Sequence, residues 1–342
     1  MTDSLFPEIT TRAERRVANR NPEPEFLYQS MGAGVQSTTI ALLAANGIIE
    51  KPRYAVFSDT GWEPPGVYEH LTKLDAEVLK PSGIELVRVA NGNLRDEAMD
   101  HNYLRRIPVF TRAADGKRGL TKRQCTGHYK LTPIFQWLRT TLGANAVTKP
   151  CGYCSGEGQR EVPWLVKADA DITTGECSVC HGCGTITRTG AAPKGRWARA
   201  YIGFSLDELG RMSASEVPYA VNEYPLIAGD LKMNRQDCID YLAEQGWGTT
   251  PKSACIGCPF HTNAEWRRIK ADPVLWADAV TVDNAIRSRP LQNDQAFLHH
   301  TAVPLAIADI STGGEDELGS CSPYGCRSED TNYLPDLDEV LF

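Results

Sequence analysis

Apolar and polar positions alternate between two periods along the first ninety residues. The run FLY at 26–28 reads as a short apolar strand that enters the glycine-containing turn GAGVQS at 32–37. TTIALLAA at 38–45 has helical spacing and stops at Asn46 and Gly47, a C-terminal helix signal. RYAVFS at 53–58 is a second strand, ending at DTG, 59–61. Pro64 and Pro65 open a helix through Tyr68 and DAEVL (75–79), which Pro81 and Gly83 terminate, and IELVRV at 84–89 is a third strand. The order β-α-β-α-β predicts a Rossmann-like α/β fold, a parallel twisted sheet flanked by helices.

Further along, Thr132 and Pro133 read as the cap and first residue of a helix through Leu138. From Lys149 to about Pro193 the chain becomes rich in Gly, Cys and Thr and loses helical periodicity. YIGF at 201–204 reads as a strand, SLDEL from Ser205 and NRQDC from Asn234 as capped helix starts, and WRRIK (266–270) and VLWADAV (274–280) as helices. The expected organisation is a loose arm (1–24), an α/β core (25–148), a small insertion (149–193), a continuation with a helical cap (194–310) and an acidic tail (311–342).

Composition narrows the class. An apolar share of 42% and a charged share of 23% suit a globular protein with a sizeable core. No apolar run nears the ~20 residues of a membrane span, and the first residues hold no secretory apolar segment. These features predict a cytoplasmic protein with no membrane partner. The net charge of −7 does not draw nucleic acid to the chain as a whole. Arg105, Arg106, Arg112, Lys117, Arg118, Lys122, Arg123 and Lys130 nevertheless crowd into one stretch, either a solvated loop or a lid over an anion. In a chain with these features, eleven cysteines, several in CxxC pairs, indicate metal rather than disulfides.

A strand entering a glycine turn that opens a helix gathers backbone N–H groups and a helix N-terminus at one point, which suits an anion. Ser30, Gly32, Ala33, Gly34, Gln36 and Ser37 are the candidate residues. The Walker pattern is absent, with Val35 and Gln36 where its cation would be sought, and Ser37 stands where a dinucleotide-binding turn has its third glycine. Asp59, Thr60 and Gly61 form a second turn on the same sheet edge, where ligands of parallel sheets bind. Asp59 suits a metal, a sugar hydroxyl or the capping of its own turn.

Taken in order, these segments resemble the phosphoadenylylsulfate (PAPS) reductase and PP-loop ATP pyrophosphatase family, of the adenine nucleotide alpha-hydrolase type. GAGVQS (32–37) sits where that family has SGGxDS, and DTG (59–61) matches its second motif. KRQCTGHYKLTP (122–133), IGFSLDELGR (202–211), EYPLI (223–227) and SACIGCPFH (253–261) complete a collinear series over about residues 26–265. Gln36 replaces the family's Asp and Gly32 its first Ser; an amide is a poorer ligand for a hard cation than a carboxylate. The resemblance implies ATP or another adenylyl nucleotide with magnesium on the two turns, with Arg123, Lys130, Asp207 and Arg211 as catalytic candidates.

Two cysteine sets stand out. CGYCSGEG (151–158) and CSVCHGCG (177–184) both fit CxxCxGxG, which resembles a zinc centre of the cysteine-rich domain of J-domain chaperones. Cys151, Cys154, Cys177 and Cys180 are the expected zinc ligands, with Cys183 a possible substitute. The second set is Cys125, Cys255 and Cys258, at places where many family members hold an iron–sulfur cluster, typically [4Fe–4S], beside the nucleotide. Nearby Lys and Arg would offset the charge of such a cluster. A fourth ligand would come from Cys326, Cys321, Cys238 or a non-protein group, and zinc or a reduced pair is the alternative.

The expected function is sulfur transfer: an acceptor, with tRNA and DNA in view, is adenylated and then takes sulfur from a donor protein. The alternatives are reduction of adenylylsulfate or its 3′-phosphorylated form, which lacks support from a Cys-Cys pair at 124–125, and a non-catalytic nucleotide- or nucleic-acid-binding zinc protein.

Overall fold

A computed structural model describes residues 20–100, 107–161, 174–177, 180, 182–287 and 295–312. The chain divides into two compact units, and among these residues one comprises 22–135 with 197–312 and the other 20–21 with 136–196. Each is described by itself.

The larger unit begins with β1 (Leu27–Met31), α1 (Val35–Ala45), β2 (Tyr54–Asp59), α2 (Pro65–Leu74), β3 (Glu85–Ala90) and α3 (Leu94–Met99). α2 continues through a wider turn at Asp75–Leu79. β4 (Phe110–Arg112) and β5 (Arg118–Leu120) follow as a hairpin, and α4 spans Thr132–Thr141. The smaller unit carries β6 (Ala146–Pro150), β7 (Gln159–Glu161), β8 (Thr174–Glu176) and β9 (Thr185–Thr189). The larger unit resumes with β10 (Ala198–Ile202), β11 (Ala220–Glu223), α5 (Arg235–Glu244), α6 (Asn263–Ala271), α7 (Pro273–Arg287) and β12 (Gln295–Phe297).

The main sheet has five parallel strands in the order β11-β10-β1-β2-β3. β1 is central and buried throughout, as is usual for a strand covered on both faces. The chain leaves β1 for β2 on one side, whereas β10 returns on the other, with Ser30 opposite both Ile202 and Val56. The order therefore reverses between β1 and β10, and such a switch point opens a crevice at the carboxyl ends of the strands.

α1 is buried along nearly its whole length, apolar in its second half and polar but still buried at Gln36, Ser37, Thr38 and Thr39, and it packs against α5. Its buried hydroxyls are satisfied: Thr39 donates to the Val35 carbonyl at 3.0 Å, and Thr38 lies 2.9 Å from His70 Nε2. A second apolar cluster joins Trp62, Leu94, Tyr129, Ile256, Trp266 and the inner face of α7.

Two local expectations are corrected. Thr132 is not a cap, because the helix reaches back through a wide turn at Thr126–Leu131 and the Thr132 hydroxyl bonds the Gly127 carbonyl. Pro133 brings no N–H to the Tyr129 carbonyl four residues earlier, and the Ser58 hydroxyl at the end of β2 bonds that carbonyl instead, at 2.7 Å. Ser205 opens only a short 3₁₀ turn, Leu206–Arg211, with non-helical dihedrals at Glu208. In the basic stretch, Arg105 and Arg106 lie outside the described residues, while β4 and β5 form a hairpin that β12 extends into a three-stranded antiparallel sheet.

Among the described residues, no helix is long and apolar enough to cross a membrane.

Candidate functional site

The first turn leaves β1 at Met31 and enters α1 at Val35. Ala33 adopts a left-handed conformation, φ +56°, that a side chain disfavours. Ser37 closes the turn on itself, its Oγ accepting from the Gly34 N–H and donating to the Gly34 carbonyl, both at 3.1 Å. The first N–H groups of α1 have no partner within the helix and face out of its N-terminus. Gln29 braces the turn from within β1, Nε2 donating to the Ser37 carbonyl at 2.6 Å. Ser30 is buried beside it.

The second turn leaves β2 at Asp59. Its Oδ1 accepts from the Gly61 N–H and the Tyr68 hydroxyl, both at 2.8 Å. Burial, together with the bond to Asp59, pushes the Tyr68 phenol above its ordinary range. Gly61 has φ +73°, and a Cβ there would meet the Asn93 side chain at 2.7 Å, so the turn needs its glycine.

The loop Ser253–Cys258 meets both turns. A Cβ on Gly34 would lie 3.6 Å from Ser253 Cβ. On the other side the Ile256 N–H donates to the Trp62 carbonyl at 2.9 Å, and Cys255 Sγ lies 3.2 Å from Thr60 Oγ1 and 3.5 Å from Glu63 Oε1. Glu63 is buried and also accepts from Thr60 Oγ1 at 3.2 Å. Behind the loop, His261 Nε2 faces the Cys255 and Ile256 carbonyls at 2.9 and 3.2 Å, while its Nδ1 lies 3.5 Å from Glu265. Burial works against ionisation of Glu265, but His261 and Lys252 outweigh it and hold the carboxyl down at about 2.

One narrow cavity is lined by Cys125, Cys255, Cys258, Arg123, Lys130 and Thr60. The structure thus brings the three cysteines of the second set together with two of the candidate cations. Arg123 also bonds Thr126 and lies 6.0 Å from the Phe260 ring centre. Three thiols with two cations suit a cluster whose thiolate-ligated form carries net negative charge. Cys238 is not part of this group: it is buried in the apolar cluster that α5 forms with α1, and burial pushes its thiol up to about 12. Cys326 and Cys321 lie outside the described residues.

Asp207 and Arg211 fall at the switch point instead. Asp207 Oδ2 accepts from Ser205 Oγ at 3.1 Å and from the Arg235 N–H at 2.7 Å. Arg211 pairs with Glu208 and lies 4.6 Å from the Phe204 ring centre. Gln36 Nε2 donates to Glu208 Oε2 at 3.2 Å, and its Oε1 accepts from Arg235 Nη1 at 3.2 Å. The Gln36 oxygen is therefore committed to a guanidinium, and the donor set there does not suit magnesium. Sequence reasoning passed over Arg235 because N-R-Q-D reads only as a helix start; nothing local shows that its side chain reaches α1. Glu63 and Gly203 were missed likewise. A Cβ on Gly203 would come within 3.2 Å of the Ser37 nitrogen.

In the smaller unit, Cys151, Cys154, Cys177 and Cys180 are buried with their sulfurs all within 4.8 Å of one another, a group that could hold a metal ion. The two motifs face each other. A Cβ on Gly158 would strike the Gly182 carbonyl oxygen at 2.1 Å, and one on Gly184 the Gly156 carbonyl oxygen at 2.2 Å, so both glycines permit the close approach. The Gly158 N–H donates to Cys154 Sγ at 3.2 Å, the outer bond expected of a thiolate ligand. Four sulfurs in this arrangement suit zinc or an iron–sulfur centre. Burial pushes the Cys180 thiol up to about 12, so metal binding there must displace protons. Cys183 is exposed and lies outside the set.

No protein-family model matches the chain, and no curated protein matches its sequence.

Proposed function

We propose that the chain is a PP-loop protein of the PAPS reductase type, which binds ATP or another adenylyl nucleotide at the carboxyl edge of its parallel sheet and serves in sulfur transfer. One observation carries the reading: the loop bearing Cys255 and Cys258 touches both the Gly32–Ser37 turn and the Asp59–Gly61 turn. A nucleotide seated on those turns would lie against the thiol-lined cavity.

In this reading the N–H groups of the first turn and Ser37 hold phosphate, Arg123 and Lys130 stabilise charge on the phosphoryl oxygens as the bond to pyrophosphate breaks, and Asp59 orients the nucleotide and any magnesium that accompanies it. The acceptor oxygen attacks the α-phosphorus and pyrophosphate departs; sulfur at the sulfide level then attacks the adenylated centre and AMP leaves. A [4Fe–4S] cluster, when bound by Cys125, Cys255 and Cys258, would supply an iron to which sulfur attaches. The acceptor class we favour is a nucleic acid, tRNA or DNA, with sulfur delivered by a donor protein. For the Cys151, Cys154, Cys177 and Cys180 centre we propose zinc, in the supporting role of holding the smaller unit folded.

Anaerobically purified protein tests both halves. Iron with labile sulfide, and pyrophosphate released from ATP in the presence of acceptor, support the reading. Colourless protein carrying zinc alone contradicts the cluster, and sulfite formed from adenylylsulfate with a dithiol would assign a reductase instead. Nucleotide binding without turnover would favour the non-catalytic reading, to which the committed Gln36 amide lends support.

A further inference from the structure

We infer that Arg235 supplies at the first turn the positive charge that a divalent cation would otherwise bring, so that nucleotide phosphates bind there without magnesium. The inference rests on the nucleotide reading above and concerns how that site is charged.

Gln36 is the second residue of α1, buried at its N-terminus. Both ends of its amide are engaged. Nε2 donates to Glu208 Oε2 at 3.2 Å and to Ser205 Oγ at 3.4 Å, which turns Oε1 towards Arg235 Nη1, also at 3.2 Å. A neutral amide in this setting offers a hard cation little, but it anchors a guanidinium well. Only one of the five guanidinium N–H donors is needed for that anchor, which leaves others for phosphate oxygens.

Arg235 is also held from its backbone. It is the first residue of α5, with Asn234 as its cap, and its N–H donates to Asp207 Oδ2 at 2.7 Å. The charged groups around it are Asp207, Glu208, Arg211 and, two residues along its own helix, Asp237; the Glu208 carboxylate pairs with Arg211, and Asp237 Oδ2 accepts from the Asn234 N–H at 2.7 Å. Burial raises the Glu208 carboxyl, against the pull of Arg211. Each carboxylate there already has a partner, Glu208 in Arg211, Asp207 in the Arg235 N–H and Asp237 in the Asn234 N–H, an arrangement that suits the capping of α5 rather than a divalent cation. The segment after β10 lies close to the first turn at Gly203, and through Asp207 it also holds the Arg235 N–H, so Arg235 starts α5 within one side-chain length of the α1 N-terminus.

The test is calorimetric titration of ATP into wild type, Arg235→Gln and Arg235→Lys, each with magnesium and in magnesium-free buffer. Wild type is expected to bind ATP with affinities within about threefold of each other in the two buffers. Arg235→Gln is expected to weaken binding about tenfold or more in both, since a charge-assisted contact is lost, and Arg235→Lys to recover part of the loss. Thermal melting of the variants should match wild type, which a purely structural role would not allow. Wild type that binds ATP only with magnesium, or Arg235→Gln that binds as tightly as wild type, overturns the inference and leaves the nucleotide reading standing. Wild type that binds no ATP in either buffer overturns both.

Discussion

The Thr60 hydroxyl stands 3.2 Å from the Cys255 sulfur, although 195 positions separate them in the chain. The contact ties the turn after β2 to the CxxC loop, and the same loop abuts the turn after β1 through Ser253. Strand ends that would hold phosphate and thiols that would hold a cluster are thereby parts of one surface. Thr60→Val would remove the hydroxyl while keeping the shape. We expect it to alter the absorbance or redox potential of any iron centre and to leave the zinc content unchanged; identical spectra would show that the contact has no influence on the centre.

Gly203→Ala probes the closeness of the segment after β10 to the first turn, on the two sides of the switch point. The added Cβ would sit 3.2 Å from the Ser37 nitrogen and 3.5 Å from Gln36 Cβ, both in a packed region. The segment and the turn must part by a few tenths of an ångström. ATP affinity is expected to fall about tenfold with a stability loss of about 1–2 kcal/mol, measured by titration and denaturant unfolding. Ala33→Gly should act the other way on stability, gaining about 1 kcal/mol by relieving a left-handed alanine.

The four-cysteine centre has its own signature. Cys177→Ser should abolish stoichiometric metal and open residues 145–190 to protease, with the larger unit still resistant. Because the Cys180 thiol holds its proton up to about 12 without metal, binding releases protons and apparent metal affinity should rise with pH between 5 and 8. Metal affinity that is flat in pH would contradict thiolate ligation.

Acid should weaken the fold before its carboxylates titrate. Burial, with Lys73 nearby, lowers His70 to about 4, and burial, with His300 nearby, lowers His299 to about 4. Between pH 6.5 and 4 the unfolded chain takes up protons that these rings refuse, so stability falls as pH falls through that window, by at most about 3 kcal/mol per ring. Glu265, held at about 2, adds a further loss only below about pH 4.5. Melting temperatures of wild type and His70→Gln across this range check the sign: the variant's curve should be flatter.

Much of this architecture is legible in the sequence. Periodicity locates β1 to β3 with their two helices, because each is a local pattern bounded by Gly or Pro. The CxxCxGxG pair announces its four sulfurs because glycine is the only residue that tolerates the Gly158–Gly182 and Gly184–Gly156 approaches. What is not legible is pairing at long range. YIGF reads as a strand, yet nothing in it tells that β10 lies beside β1 and creates the switch point. Arg235 and Glu63 escape for the same reason, since their partners are remote in sequence. The helix start at Thr132 is misplaced because Pro133 usually marks a first turn, and here the helix reaches back past it, with Ser58 bonding the Tyr129 carbonyl that a proline cannot bond.

The most direct measurement is alkylation of Cys125 and Cys258 by iodoacetamide in iron-free protein, followed site by site by mass spectrometry with and without ATP. Both are partly accessible, and exposed Cys183 in the smaller unit serves as the internal control. If nucleotide and thiols share one site, saturating ATP slows alkylation of Cys125 and Cys258 while Cys183 reacts as before. Unchanged rates at all three cysteines under saturating ATP would contradict the account.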